Sequence, residues 1–219
     1  MELKRIADEM QPRTMAARDW VFQVIRTAIV RGVLPGGMPL RQDEISAALS
    51  VSHIPVREAF RQLEAQGLVR IYPNRGAVVT KLTKDDMANI MDTRIMLELG
   101  ALKSAFPFLT DAILDEAESI IHQSEGETDL HTIEDLNLKF HFTLYKCSNN
   151  DVLLQLIEQL HANVDRYVRQ YYRTDEGASN ADHMKLIDAC RNKDMVLADA
   201  VLRTHLESVK KLLSELEDY

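Results

Sequence analysis

Cysteine is almost missing from this 219-residue chain, which has only Cys147 and Cys190 and no CxxC spacing. That excludes a disulfide framework and a cysteine-rich zinc module, and leaves two reduced thiols packed in helices as the expectation. Long apolar runs are missing too, so nothing approaches the roughly 20 residues that a membrane-spanning helix needs. The N-terminal MELKRIADEMQPRTM carries acids and lacks the apolar core of a secretory signal, which predicts a cytoplasmic protein without a membrane partner. Positive charge is in short supply, with 26 Lys/Arg against 34 Asp/Glu and a net charge of −8, the wrong balance for a general nucleic-acid binder. The shortage is uneven. Residues 1–82 hold 12 Lys/Arg against 8 Asp/Glu, whereas the remainder holds 14 against 26. Only the N-terminal end is therefore suited to approach a polyanion.

What is present divides at the same place. From Arg18 to Arg31, Trp20, Val21, Val24, Ile25, Ala28 and Ile29 recur at helical spacing, and Gly32 follows as a stop. GVLPGGMPL reads as a turn-rich connection, and a short helix follows from about Gln42 to Leu49. In SVSHIPVRE, Pro55 would break a helix interior but is tolerated in a first turn, whose amides lack intrahelical partners. Ser52 is then the expected N-cap, its hydroxyl accepting from a first-turn amide. Beyond that helix, GLVRIYPNRGAVV turns β-branched and aromatic around Pro73-Asn74-Arg75-Gly76, a hairpin composition. Three helices and a small β-hairpin describe a winged helix-turn-helix over residues 1–82.

From residue 83 to 219 no strand pattern appears. Thr83-Lys84-Asp85-Asp86 opens a helix to about Phe106, and further helices are expected over 111–125, 132–148, 151–172, 180–191 and 194–216. Polar loops such as CSNND and RTDEGASN would join them into an antiparallel bundle. The fold expected is mainly α, a winged helix followed by an all-helical domain.

A second helix of a helix-turn-helix enters the major groove with its N-terminal residues at base edges. Here it would offer Ser52, His53, Ile54 and Arg57, with Arg61 a turn further on. Arg57 can hold a phosphate or fork onto guanine, and His53 can donate to a base-edge acceptor or a phosphate. Arg75 and Gly76 suit a wing tip, where glycine allows close approach and arginine favours phosphate or the minor groove. The bland alternative is that Arg57 pairs with a neighbouring acid and the hairpin only closes a core. The run from Ile25 to Val79, with GVLPGG, LRQDEISAALSVSHIPVREAFRQLEAQGLV and NRGAVV, resembles the winged-helix domain of GntR-family transcription regulators. The resemblance implies a homodimer on a pseudo-palindromic double-stranded DNA operator, with Arg41, Ser52, His53, Arg57, Arg75 and Gly76 at DNA-contacting positions. The sequence departs from the family at His53 and Ile54, where Arg and Thr are common.

His141, His183 and His205 fall on three different predicted helices, and Asn137 shares the face of His141 one turn earlier. Converging imidazoles can hold a divalent ion; solvent-facing or hydrogen-bonded histidines are the plainer alternative. DLNLKFHFTLY, DHMKLIDACRNKD and LRTHLESV resemble the FCD effector domain of the FadR branch of the family, including the 22-residue interval from His183 to His205. Many members of that branch complete an Asp-His-His-His site where this chain has Asn137. Asp135 points about 120° away from His141, and Glu134 lies about 10.5 Å down the helix, so neither replaces that aspartate easily. The resemblance implies a Zn or Ni site of His141, His183 and His205, with Asn137 a weak ligand or hydrogen-bonded to water on the ion. It also places Arg94 in an effector pocket, where a guanidinium suits a small carboxylate; an i,i+4 ion pair with Glu98 is equally open. The function expected is an effector-responsive DNA-binding regulator rather than an enzyme, with residues 83–219 binding effector and dimerising. A metal-dependent hydrolase built on the histidines is the alternative, though no HExxH and no adjacent general base support it. A third reading is an architectural DNA-binding protein with a purely structural bundle.

Overall fold

The computed structural model describes residues 2–10, 15–73 and 76–215, with side chains placed outside 169–179. The chain forms two compact units that divide between Leu82 and Thr83.

The first unit runs α1 (Glu2–Glu9), α2 (Ala17–Val30), β1 (Pro39–Leu40), α3 (Gln42–Leu49), α4 (His53–Ala65), β2 (Val69–Tyr72) and β3 (Gly76–Val79). The apolar stripe of α2, from Trp20 to Ile29, packs with Val56, Ala59, Phe60 and Leu63 of α4, all buried. Each large side chain buried this way is worth about 1.5–3 kcal/mol. Gly32 ends α2 in the left-handed region, φ 71°, as its position in the sequence predicts.

Three features depart from expectation. The loop GVLPGGMPL contributes a strand: Pro39 and Leu40 pair antiparallel with Val78 and Ala77, so the wing is a three-stranded sheet of order β1-β3-β2. Two residues are too few to show an alternating pattern, and Pro39, which has no amide to donate, is confined to a sheet edge. An unexpected helix, α1, buries Ile6 and Ala7, while Glu9 pairs with Arg31 at 2.9 Å and the Trp20 indole donates to the Met10 carbonyl. Its short length and mostly charged sequence hid it. Ser52 stands at the N-cap of α4, but its side chain makes no capping hydrogen bond. The N3 position that such a hydroxyl commonly addresses is Pro55, which has no N–H.

The second unit comprises α5 (Lys84–Ala105), α6 (Asp111–Ser124), α7 (Leu130–Tyr145), α8 (Asp151–Arg191) and α9 (Met195–Glu215), with 3₁₀ turns after α5 and α7. Thr83 and Asp86 form a reciprocal capping box that starts α5. The stretch RTDEGASN, expected as a loop, lies inside the single 41-residue helix α8. It holds a glycine but no proline, and a glycine costs a helix only about 1 kcal/mol without removing a hydrogen bond. Ile95, Leu99 and Leu102 of α5, Phe140 and Leu144 of α7, and residues of α6, α8 and α9 enclose one apolar core. Among the described residues no helix is long and apolar enough to cross a membrane.

Candidate functional site

The exposed face of α4 carries His53, Ile54, Arg57, Glu58 and Arg61, opposite its buried stripe. Arg57 and Arg61 are exposed and form no ion pair with an acid among the described residues. His53 Nε2 lies 3.4 Å from Asp43 on α3. Ile54 is 61% exposed, an apolar group amid polar neighbours. Arg41, N-cap of α3, sits 3.8 Å from Glu44 with both side chains exposed, so it is weakly held. Gly76 has φ 77°, and a Cβ there would lie 2.7 Å from the Leu40 carbonyl oxygen. Glycine is thus required by both backbone and space. Arg75 lies outside the described residues.

In the helical unit, α7, α8 and α9 bring His141, His183 and His205 together. Their ring centroids are 4.6–5.4 Å apart, and one nitrogen from each lies within 4.8 Å of the others. All three are buried. Burial pushes each imidazole toward its neutral form, His205 to about 4, so the rings meet as lone-pair donors rather than as cations. Two acceptable ligand atoms are stranded: His183 Nε2 and Asn137 Oδ1 are buried with no hydrogen-bond partner among the described residues. An unsatisfied buried polar atom costs about 1–3 kcal/mol. A divalent cation held by the three imidazoles fits this donor set, and both stranded atoms gain a partner if the amide oxygen joins them.

Beside the histidines is a cavity of about 20 Å³, lined by Arg94, Asn137, His141, His161, Asp165 and His205 among others. It has room for roughly one water. Arg94 forms the i,i+4 ion pair with Glu98, its Nε donating to Oε1 at 2.9 Å, and also lines this cavity. Its Nη2 lies 2.7 Å from His161 Nε2 and its Nη1 donates to the Met91 sulfur at 3.6 Å. Glu98 is fully buried; burial alone would push its carboxyl up, but Arg94 and His161 hold it well below the usual carboxylate range. Burial and Arg94 press His161 toward neutrality, yet Glu98 and Asp165 outweigh them and raise its pKa. The Tyr145 hydroxyl donates to Glu98 Oε2 at 3.0 Å and lies 3.3 Å from His141 Nδ1. Burial and Glu98 push that phenol well up, so it keeps its proton.

Glu98 entered the sequence reading only as a possible partner of Arg94, and Tyr145, His161 and Asp165 were not recognised as part of this site. The available signal was i,i+4 spacing: Arg94 with Glu98, Asn137 with His141 and Tyr145, and His161 with Asp165 each stack one turn apart. Asp135 is exposed on another face, as its angle predicts, whereas Glu134 does reach the cavity lining. Cys147 and Cys190 are free thiols, the latter buried and pushed up to about 11.

Comparison with known proteins gives this geometry a setting. Residues 17–79 match the family described as bacterial regulatory proteins, gntR family, and residues 89–208 match the FCD domain. The HTH-type transcriptional repressor RspR of Escherichia coli K12 is 26% identical over 215 residues, covering 94% of each chain. A GntR-family regulator crystallised from Pseudomonas syringae pv. tomato DC3000 is 32% identical, with TM-score 0.55, over 98% of this chain and 93% of that one. E. coli McbR/YncC, at 23% identity, shares the fold with TM-score 0.80 over 91% of this chain and 98% of its own. These families and relatives are regulators rather than enzymes, and the hydrolase alternative finds no support among them. The chain belongs to the GntR family, joins that family's helix-turn-helix to an FCD domain, and is a DNA-binding transcription regulator.

Proposed function

We propose that this regulator binds a pseudo-palindromic operator as a homodimer and adjusts its operator affinity to a small carboxylate bound beside a metal centre in residues 83–219. The observation that carries the proposal is the meeting of three buried, neutral imidazoles next to a polar cavity that contains Arg94 and Asn137. His141, His183 and His205 hold a Zn²⁺ or Ni²⁺ ion, with the Asn137 carbonyl as a weak fourth ligand. An ion held there would supply a Lewis-acid anchor for an oxygen of the effector. Arg94 meets the same ligand by turning an Nη away from His161 or Met91, because Glu98 already occupies Nε. On DNA, residues 1–82 provide Arg57 and His53 for base edges, and Ser52, Arg41 and the wing around Gly76 for the backbone.

A cavity of about 20 Å³ cannot take a carboxylic acid without opening. The effector therefore selects a different arrangement of the helices, and the operator responds to that population shift. Metal analysis of protein purified without added metal or affinity tag, compared with a His183→Ala/His205→Ala double variant, tests the centre. Stoichiometric metal in the first and none in the second is expected; equal content overturns it. Footprinting of the upstream DNA with and without a panel of small acids tests the response.

A further inference from the structure

The proposed centre has the neutral Asn137 one turn before its first histidine, yet a carboxylate stands two hydrogen bonds behind that histidine. Glu98, on α5, is 0% exposed and divides its two oxygens. Oε1 accepts from Arg94 and faces His161 Nε2 at 3.2 Å; Oε2 accepts from the Tyr145 hydroxyl. That hydroxyl has a single proton. An ionised carboxylate can only accept, so the proton lies toward Glu98, and the phenol oxygen can meet His141 Nδ1 only as an acceptor. Nδ1 must then carry the hydrogen, which leaves the lone pair of His141 on Nε2. Among the described residues, His141 is the one member of the histidine trio with a hydrogen-bond partner for its ring.

We infer that Tyr145 and Glu98 are positioning residues of the histidine centre: the Glu98–Tyr145–His141 chain fixes the tautomer of His141 and lends the site the negative charge that Asn137 does not. The inference depends on the metal reading of the centre. Partners behind a metal-bound histidine orient the ring and raise its basicity, and their removal typically costs about 10–100-fold in metal affinity. Tyr145 suits the task because it lies one turn after His141 on α7, as Asn137 lies one turn before. The same carboxylate grips Arg94 and His161 through its other oxygen, so the cavity lining and the histidines share one anion.

Two measurements on the full-length protein test this. Long-range ¹H–¹⁵N NMR of the metal-free wild type is expected to show His141 with its proton on Nδ1, and Tyr145→Phe to show a mixture of tautomers. Competition between protein and chelator for Zn²⁺ is expected to show Tyr145→Phe binding about 10–100-fold more weakly than wild type. Asn137→Asp, which places a carboxylate within the centre, is expected to recover most of that affinity when combined with Tyr145→Phe. A wild type that binds no Zn²⁺ would overturn the metal reading itself. A wild type that binds Zn²⁺ but has its His141 proton on Nε2, or a folded Tyr145→Phe with unchanged affinity, would overturn the positioning role alone.

Discussion

At the scale of single residues, protonation sets the state of the histidine centre. His205 falls from the ordinary 6.5 to about 4 on folding, chiefly through burial, and His141 and His183 move the same way. As the pH drops below 6.5 the unfolded chain takes up protons that the folded chain refuses, so the unfolded state gains. Stability present above 6.5 is therefore lost progressively toward 4, by up to about 3 kcal/mol for His205 alone. Metal-stripped protein, in which no ion competes with protons, is expected to melt several degrees lower at pH 5 than at pH 7.5, at about 2–4 °C per kcal/mol. His205→Gln should flatten the profile, and a wild-type midpoint independent of pH would contradict the burial argument. Ile54 supports a second prediction at this scale. An exposed branched alkyl group at the start of the recognition helix has one favourable partner in the major groove, the thymine methyl. Selection from a randomised operator library should show a T preference at one position per half-site that Ile54→Ala loses. An unchanged preference would place Ile54 away from the bases.

At the scale of elements, the wing depends on Gly76. A methyl group there meets the Leu40 carbonyl at 2.7 Å, with φ at 77°, so Gly76→Ala strains β3 and pushes it from β1. A destabilisation above about 1 kcal/mol in denaturant unfolding is expected, since an alanine forced to φ > 0 costs more than the roughly 0.4–1 kcal/mol it gains in the unfolded chain. Operator binding should weaken together with it, and wild-type stability for the variant would contradict the close approach. The elements also show what the sequence could and could not announce. α2 and α4 were legible because their apolar residues repeat over two turns or more, and Thr83–Asp86 because a capping box is a local device. β1 was not legible because two residues have no period, α1 because only Ile6 and Ala7 of its eight residues are buried, and α8 because polar composition mimicked a loop without a proline to end the helix. In the site, the three histidines were visible as types at family spacing. The Glu98–Tyr145 connection was not, because its 47-residue separation closes only when α5 and α7 pack together.

At the scale of the whole molecule, the two units differ in the sign of their charge, and the proposed function couples them. The N-terminal unit carries the excess of Lys/Arg and the C-terminal unit the excess of Asp/Glu, so salt-dependent attraction to the operator arises from the first alone. Arg41→Ala should weaken all DNA sequences alike and reduce the salt slope by about 1 for each phosphate that the arginine no longer neutralises. In the proposed function the second unit acts through differential affinity: if an acid that requires an opened cavity binds one arrangement better, whatever factor it imposes on operator affinity the operator must impose on acid affinity. Titrating an active acid into the metal-loaded protein by calorimetry, with and without saturating operator, should give two affinities that differ by the same factor as the operator affinities measured with and without acid. A factor of about 5–150 is typical of such coupling. Unequal factors would mean that the acid acts on something other than this equilibrium, and a factor of one in both directions would leave the bundle a purely structural partner of the winged helix.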